Sequence, residues 1–135
     1  MAYVKPPWFT RKIANPLINL LGLGGAKTLS IVGRRSGEPE TIPVIPVEYE
    51  GGRYIVSTRG ESDWVRNLRA AGGKVQLGKG GSAELLQATE VPVEQRQPII
   101  DAYIEKAGNY VKTYWKKLPD AADHPVFRLE SVGAA

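Results

Sequence analysis

Cysteine is absent from the chain, and histidine occurs once, as His124, among 135 residues. Without cysteine the chain forms no disulfide, no thiolate zinc site and no cysteine nucleophile. One imidazole is also too few for a histidine-based metal site or for a Ser–His–Asp triad with a spare base. We therefore expect no metal, and we expect any chemistry to come from a bound cofactor or from carboxylates and tyrosines.

Long apolar runs are also missing. No stretch has the roughly 20 consecutive apolar residues that cross a bilayer as a helix, and the N-terminus lacks a signal-peptide cleavage pattern. These absences predict a cytoplasmic protein. A length of 135 residues with 42% hydrophobic content predicts a single domain, residues 1–135, that is large enough to bury its own core.

Positive charge exceeds negative charge, with 18 Lys and Arg against 14 Asp and Glu and a formal net charge of +4. This balance favours acidic ligands, anionic membrane or nucleic acid without choosing among them. Nucleic acid is not expected as a partner, because the aromatic residues do not interleave with the basic ones in any recognised module.

The N-terminal segment, residues 1–24, has apolar residues at roughly helical spacing. Packing of this helix on a sheet is the first interpretation. The alternative is a peripheral helix on the inner face of the cell membrane, because Trp8 and Phe9 stand beside Lys5, Arg11 and Lys12.

The spacing of apolar residues changes to that of strands after Ala26, and glycine pairs separate the segments. Six strands in hairpins around a few helices predict an α+β fold, mainly a small antiparallel β-barrel with flanking helices. Pro43 and Pro46 cannot donate ladder hydrogen bonds, so the second strand should have an edge or a bulge there. The predicted strands are 26–32, 40–50, 53–58, 74–79, 82–91 and 124–132, and the predicted helices are 63–70, 93–107 and a shorter one from 110.

A basic turn, Arg34-Arg35-Ser36-Gly37, joins the first two predicted strands. Guanidinium groups match phosphate and carboxylate oxygens, and a hydroxyl adds a donor. Gly37 allows a sharp bend that exposes backbone N–H groups. The turn therefore suits an anion clamp, although an ordinary solvated hairpin tip has the same composition.

Two further features could meet this turn at one end of the barrel. They are the exit Thr58-Arg59-Gly60 and the helix start at Asp63-Trp64, where free N–H groups favour phosphate. The alternatives are a solvated loop charge for Arg59 and a core anchor for Trp64.

These segments, taken together in order, resemble the deazaflavin-dependent nitroreductase family. The family consists of split β-barrel oxidoreductases that use coenzyme F420. The resemblance extends from about Lys27 to Lys79, and the closing Pro125-Val126-Phe127-Arg128-Leu129 also fits. The segments that carry it are Gly33-Arg34-Arg35-Ser36-Gly37-Glu38-Pro39, Pro43, Thr58-Arg59-Gly60 and Asp63-Trp64-Val65-Arg66-Asn67-Leu68.

The resemblance implies a set of cofactor-binding residues. In the family, the residues of the basic turn hold the acidic tail of the cofactor, and the segment through Val44 lies beside the deazaflavin. Arg59 faces the phosphate of the cofactor. The start of the helix at Asp63 flanks both the deazaflavin ring and the tail. In the family, tyrosines near the end of the chain line the substrate pocket, and here the matching residues are Tyr110 and Tyr114. Either of these tyrosines, or water, would supply the proton for the product. The implied cofactor-binding residues are Arg34, Arg35, Ser36, Gly37, Pro39, Pro43, Val44, Thr58, Arg59, Gly60, Asp63, Trp64, Val65, Arg66 and Asn67.

The implied activity is hydride transfer from reduced F420 to an electron-poor small molecule such as a quinone, a nitro compound or an enone. A split-barrel oxidoreductase that uses flavin mononucleotide (FMN) is one alternative, because a basic clamp also suits that phosphate. A non-catalytic module that binds a cofactor or a lipid is another. The sequence leaves the physiological acceptor and the oligomeric state open.

Overall fold

The computed structural model describes residues 26–79 and 82–132. The predicted N-terminal helix and the Gly80-Gly81 turn lie outside these residues. Within them the chain forms seven strands and three α-helices, with 3₁₀ turns at Val93–Gln95 and Ala121–Asp123. In chain order the elements are β1 Lys27–Val32, β2 Pro39–Val44, β3 Val47–Tyr49, β4 Gly52–Val56, α1 Asp63–Ala70, β5 Lys74–Lys79, β6 Ser82–Glu90, α2 Arg96–Ala107, α3 Asn109–Lys117 and β7 Val126–Ser131.

All seven strands form one antiparallel sheet in the order β2-β1-β5-β6-β7-β4-β3. The edge strands β2 and β3 are separated in sequence only by Ile45 and Pro46. Three Cα steps from Val44 to Val47 reach at most roughly 11 Å. The two edges therefore lie close together and the sheet curls, which confirms the predicted α+β split barrel.

The number of strands differs from the prediction at residues 40–50. The predicted single strand divides at Ile45-Pro46, and its two halves pair with different partners, β2 with β1 and β3 with β4. Pro46 has no N–H to donate to a ladder, which explains the break. Pro43 stays within β2, opposite Thr28, and β2 is an edge strand as its proline requires.

Two hydrophobic clusters cover the two faces of this sheet. The inner core packs α1 against strand residues and has as members Leu29, Ile31, Val44, Ile55, Val65, Leu68, Val75, Leu77, Leu86, Ala88, Phe127 and Leu129. The outer core packs α2 and α3 on the other face, with Ala26, Ile45, Val47, Tyr54, Val56, Val91, Ile99, Ile100, Tyr103, Ala107, Val111 and Val126.

Helix α1 holds one side of the candidate site. Val65 and Leu68, three residues apart, are fully buried in the inner core and fix which face of the helix points outward. Ser62 takes the N-cap position without a side-chain capping bond. Gly73, with φ of +85°, ends the segment against the Ala88 carbonyl, where a Cβ would clash. The predicted helix at 63–70 is confirmed. In the part of the chain described here, no helix is long and apolar enough to cross a membrane.

Candidate cofactor-binding site

The basic turn folds tightly between β1 and β2. The Gly33 N–H donates to the Glu38 carbonyl and the Gly37 N–H donates to the Gly33 carbonyl, both at 2.9 Å. Gly37 has a φ of +71°, which a residue with a Cβ rarely adopts. The Glu38 N–H donates to Ser36 Oγ at 3.1 Å, which fixes the hydroxyl inside the turn. The backbone therefore presents the side chains of the turn in a defined arrangement.

Arg34 joins this turn to α1. Its backbone N–H and its Nη1 both donate to Asn67 Oδ1, at 3.0 and 2.7 Å, across 33 positions of sequence. Its Nη2 lies 3.4 Å from Asp63 Oδ1. The Asp63 side chain is 86% exposed, so that ion pair adds little to stability. The bond to Asn67, which is 3% exposed, is the stronger tie.

Glu40 completes the arrangement, although the sequence did not indicate it as a site residue. Its Oε2 accepts from Ser36 Oγ at 3.0 Å and its Oε1 accepts from Asn67 Nδ2 at 3.1 Å. A Cβ on Gly33 would meet Glu40 Oε2 and Ser36 Oγ at less than contact distance, so the glycine leaves room for these two side chains as they are placed here. We call Arg34, Ser36, Glu40, Asp63 and Asn67 the turn cluster.

Other residues of the predicted cofactor set divide by exposure. Arg35, Gly37 and Arg66 are exposed, and within the described residues Arg35 makes no ion pair or side-chain hydrogen bond. Pro39 and Pro43 are half-buried. Val44 and Val65 lie in the inner core, 8% and 0% exposed, so their side chains are occupied by packing.

The position of Trp64 agrees in part with the alternative interpretation, in which its side chain anchors the helix to the core. It is half-buried against the inner core, and its ring centroid lies 6.0 Å from that of Phe127 at a tilt of 56°. The start of α1 is thus fixed by a side chain that packs inward.

The exit segment after β4 leads from the sheet to α1 and lies beside α3. Ser57 Oγ donates to the Gly60 carbonyl at 2.7 Å, and Gly60 has a φ of +76°. Thr58 is half-buried. The exposed Arg59 guanidinium carbon lies 6.0 Å from the Tyr114 ring centroid, a distance at which a cation and an aromatic face attract each other. Two segments predicted for different roles, cofactor and acceptor, therefore adjoin.

The two predicted pocket tyrosines both belong to α3. Tyr114 is half-buried. The side chain of Tyr110 lies outside the described part of the structure, so its proposed role stays a prediction.

His124, the single histidine, lies beneath the exit segment. It is fully buried, with Nδ1 at 2.8 Å from the Ser57 carbonyl oxygen and Nε2 at 2.6 Å from that of Leu118. Its ring stacks on Trp115 with centroids 4.0 Å apart and 13° between planes. We call Ser57, Trp115, Leu118 and His124 the histidine cluster. It ties the exit segment to the end of α3.

A network of ion pairs fixes the other side of the exit segment. Arg69 of α1 pairs with both Glu61 and Glu90, and Glu90 also accepts from the buried Arg96 at 3.1 Å. The hydrogen bond from Arg69 lowers the pKa of Glu61 below its ordinary value. Hydrogen bonds to Glu90 and Glu61 raise the pKa of Arg69. These two shifts agree that the pair is ionised together.

A cavity of about 670 Å³ lies elsewhere, between the ends of β6 and β7 and the start of α2. Tyr54, Ile99 and Arg128 are among its lining residues. It includes none of the predicted site residues. The candidate site lies between the basic turn and α1, away from this cavity.

A family model described as F420H2-dependent quinone reductase matches residues 7–119 of the chain. The chain belongs to this family. It is therefore an oxidoreductase whose cofactor is coenzyme F420, as the resemblance in its sequence implied. No curated protein shows a significant match to it.

Several solved structures share the fold of this member of the F420H2-dependent quinone reductase family. One, described as an F420-H2 dependent reductase (FDR-A), is 23% identical, with 79% of this chain and 95% of that chain covered and a TM-score of 0.58. Another, described as a domain-swapped dimer, is 21% identical, with 93% of this chain and 100% of that chain covered and a TM-score of 0.60. A FAD-binding protein from Mesorhizobium loti is 15% identical, with 87% of each chain covered and a TM-score of 0.52.

Proposed function

We propose that this enzyme transfers hydride from reduced F420 to an electron-poor small molecule of the quinone class. In the proposal the basic turn and α1 bind the acidic tail of the cofactor. The observation that carries it is the double hydrogen bond from Arg34 to Asn67 Oδ1. It joins two separate predicted cofactor-binding segments into one corner.

The groups present fit an acidic ligand. Arg35 is exposed and makes no ion pair or side-chain hydrogen bond with the described residues. A Cβ on Gly37 would meet no atom within 4 Å, so the outer side of the turn has room for a ligand. Guanidinium donors of this kind bind phosphate and carboxylate oxygens in pairs.

Each segment has a distinct task in this proposal. Arg34 and Arg35 hold the phosphate and carboxylates of the tail, and Asn67 orients Arg34. The backbone of Pro43 and Val44 and the start of α1 flank the ring, where packing of Val44 excludes water from one side. When bound, reduced F420 supplies the hydride, so the protein has only to bind, orient and protect.

The acceptor side is assigned to the exit segment and α3. Tyr114 presents a half-buried ring beside Arg59, which suits a flat, apolar acceptor. Its phenol would donate a hydrogen bond to a carbonyl or nitro oxygen as negative charge develops there. Tyr110 is proposed to line the same pocket. A quinone or a nitro compound is flat and has an oxygen that accepts a hydrogen bond, so it matches these side chains.

Parallel titrations with F420 and FMN test the cofactor assignment. We expect F420 to bind with at least tenfold higher affinity than FMN, measured by fluorescence. Turnover is then followed with a benzoquinone and a nitroaromatic acceptor. Tighter binding of FMN contradicts the assignment, and F420 binding without turnover on either acceptor favours a non-catalytic binding module.

Residues 1–24 lie outside the described residues, and their sequence allows two interpretations. Co-sedimentation with anionic vesicles, for the full chain and for a chain that lacks these residues, distinguishes them. Binding by the full chain alone supports a peripheral membrane helix, which would bring the enzyme to lipid-soluble quinones. Absence of binding by both favours a helix packed on the barrel.

A further inference from the structure

The turn cluster already contains an anion of its own. Glu40 Oε2 lies 3.0 Å from Ser36 Oγ and its Oε1 lies 3.1 Å from Asn67 Nδ2. We propose that Glu40 is an internal competitor, which holds hydroxyl and amide donors of the turn and is displaced when an acidic ligand group binds. This inference rests on the proposed cofactor site and identifies the residue that sets its selectivity for anions.

The donors that Glu40 occupies are those that an anion would use. Asn67 is 3% exposed, and its amide N–H needs an acceptor because an unpaired buried donor is costly. Its Oδ1 is already taken by Arg34. Glu40 therefore supplies the acceptor for Nδ2, as a ligand carboxylate or phosphate oxygen would.

The position of Glu40 allows it to leave without unfolding the strand. It is the second residue of β2, an edge strand, and its backbone pairs with Ile31. The residue is only partly buried. A change of side-chain rotamer can move the carboxylate toward solvent while the ladder stays intact.

A fixed negative charge at this point has a selective effect. An incoming acidic group approaches Arg34 and Ser36 within a few ångströms of the Glu40 carboxylate, and like charges at that distance repel. A ligand binds tightly only when its contacts with the protein stabilise the complex by more than the loss of the Glu40 contacts destabilises it. The cluster therefore rejects simple anions and accepts an anion attached to a larger ligand.

Two variants separate this competitor from a purely structural tie. Glu40→Gln removes the charge and keeps an acceptor for Asn67, whereas Glu40→Ala removes both. A competitor predicts tighter anion binding in both variants. A structural tie predicts unchanged binding for Glu40→Gln and weaker binding for Glu40→Ala.

Inorganic phosphate is the first probe, titrated against the full chain while amide NMR shifts of Gly33, Arg34 and Gly37 are followed. We expect Glu40→Gln to bind phosphate about tenfold more tightly, since removal of one adjacent charge is worth that order of affinity. Glu48→Gln, an exposed residue of β3, is the control for net charge and should match the wild type. Unchanged or weaker phosphate binding in both Glu40 variants overturns the proposal.

F420 is the second probe, and it keeps the two proposals distinguishable. Tighter binding of phosphate and of F420 by the Glu40 variants supports both. If phosphate binds more tightly but no form of the protein binds F420, the competitor stands and the cofactor site fails. If the wild type binds F420 and substitution of Glu40 changes the affinity for neither phosphate nor F420, the cofactor site stands and the competitor fails.

Discussion

The turn cluster and the histidine cluster each tie a loop to a helix, but with opposite kinds of partner. In the turn cluster the partners are side chains with some access to solvent, such as the partly buried Arg34 and Glu40 and the exposed Asp63. In the histidine cluster His124 is fully buried and both of its ring nitrogens meet backbone carbonyls. Side chains at the surface can exchange their partners for a ligand, whereas buried carbonyls have no such replacement.

This difference separates binding from support within one site. The turn cluster is the part that we propose to recognise the cofactor, and its loss should cost affinity. The buried cluster fixes the exit segment against α3 through Ser57 and Leu118, and its loss should cost stability. The four predictions below test that division, from the largest expected effect to the smallest.

Replacement of the buried histidine should destabilise the fold most. His124→Ala removes the ring that contacts the Ser57 and Leu118 carbonyls and stacks on Trp115, so we expect a loss of about 2–4 kcal/mol in the free energy of unfolding. Urea denaturation measures it. Asp123→Ala, at the exposed neighbouring position, is the control and should change stability little. A loss equal to that of the control would show that the histidine cluster gives no support.

Tyr114→Phe should lower turnover with a quinone acceptor on the order of a hundredfold, as loss of one catalytic donor does. Its affinity for F420 and its melting temperature should stay near the wild type, because the ring that packs near Arg59 is kept. Steady-state kinetics and thermal unfolding measure the two. Tyr49→Phe, in β3, is the matched control.

The assignment to tyrosine is contradicted by a double variant, Tyr110→Phe with Tyr114→Phe, that turns over several acceptors at the wild-type rate. In that case the two rings only form the wall of the pocket.

Arg34→Ala should weaken F420 binding by about tenfold or more, as loss of one charge-assisted contact does. The difference from the wild type should shrink as salt rises, because part of the interaction is screened. Fluorescence titration at two ionic strengths measures both. Arg128→Ala, on β7, removes the same charge and should bind like the wild type. Equal affinities for Arg34→Ala and Arg128→Ala would contradict the clamp.

The smallest effect concerns acid stability. The hydrogen bond from Arg69 lowers the pKa of Glu61 from its ordinary 4.5, so the pair stabilises the fold above that value and loses this contribution as pH falls through the lower folded value. Between about pH 6 and about pH 3 the melting temperature of Glu61→Gln should fall less than that of the wild type. Identical slopes would mean that the pair adds nothing measurable.

Much of the fold follows from local pattern in the sequence. The glycine pairs and the change from helical to strand spacing predicted α1, β5 and β7 near their observed bounds. These features depend on neighbours in sequence, and local geometry is sufficient for them. The division of residues 40–50 was anticipated only as an edge or a bulge, because whether two halves of a strand pair with different partners depends on the whole sheet.

The site divides in the same way. Residue type and order were enough to indicate the basic turn, the exit segment and the start of α1 as candidates. Arginine, serine and a helix start supply the donors that an anion needs, and these are visible in the sequence. The roles of Glu40 and His124 were decided by tertiary structure alone. Glu40 acts through Asn67, 27 positions away, and His124 through Ser57, 67 positions away. Hydrogen bonds of that span exist only once α1 has packed on the sheet and strands β4 and β7 have paired, so no local pattern could predict them.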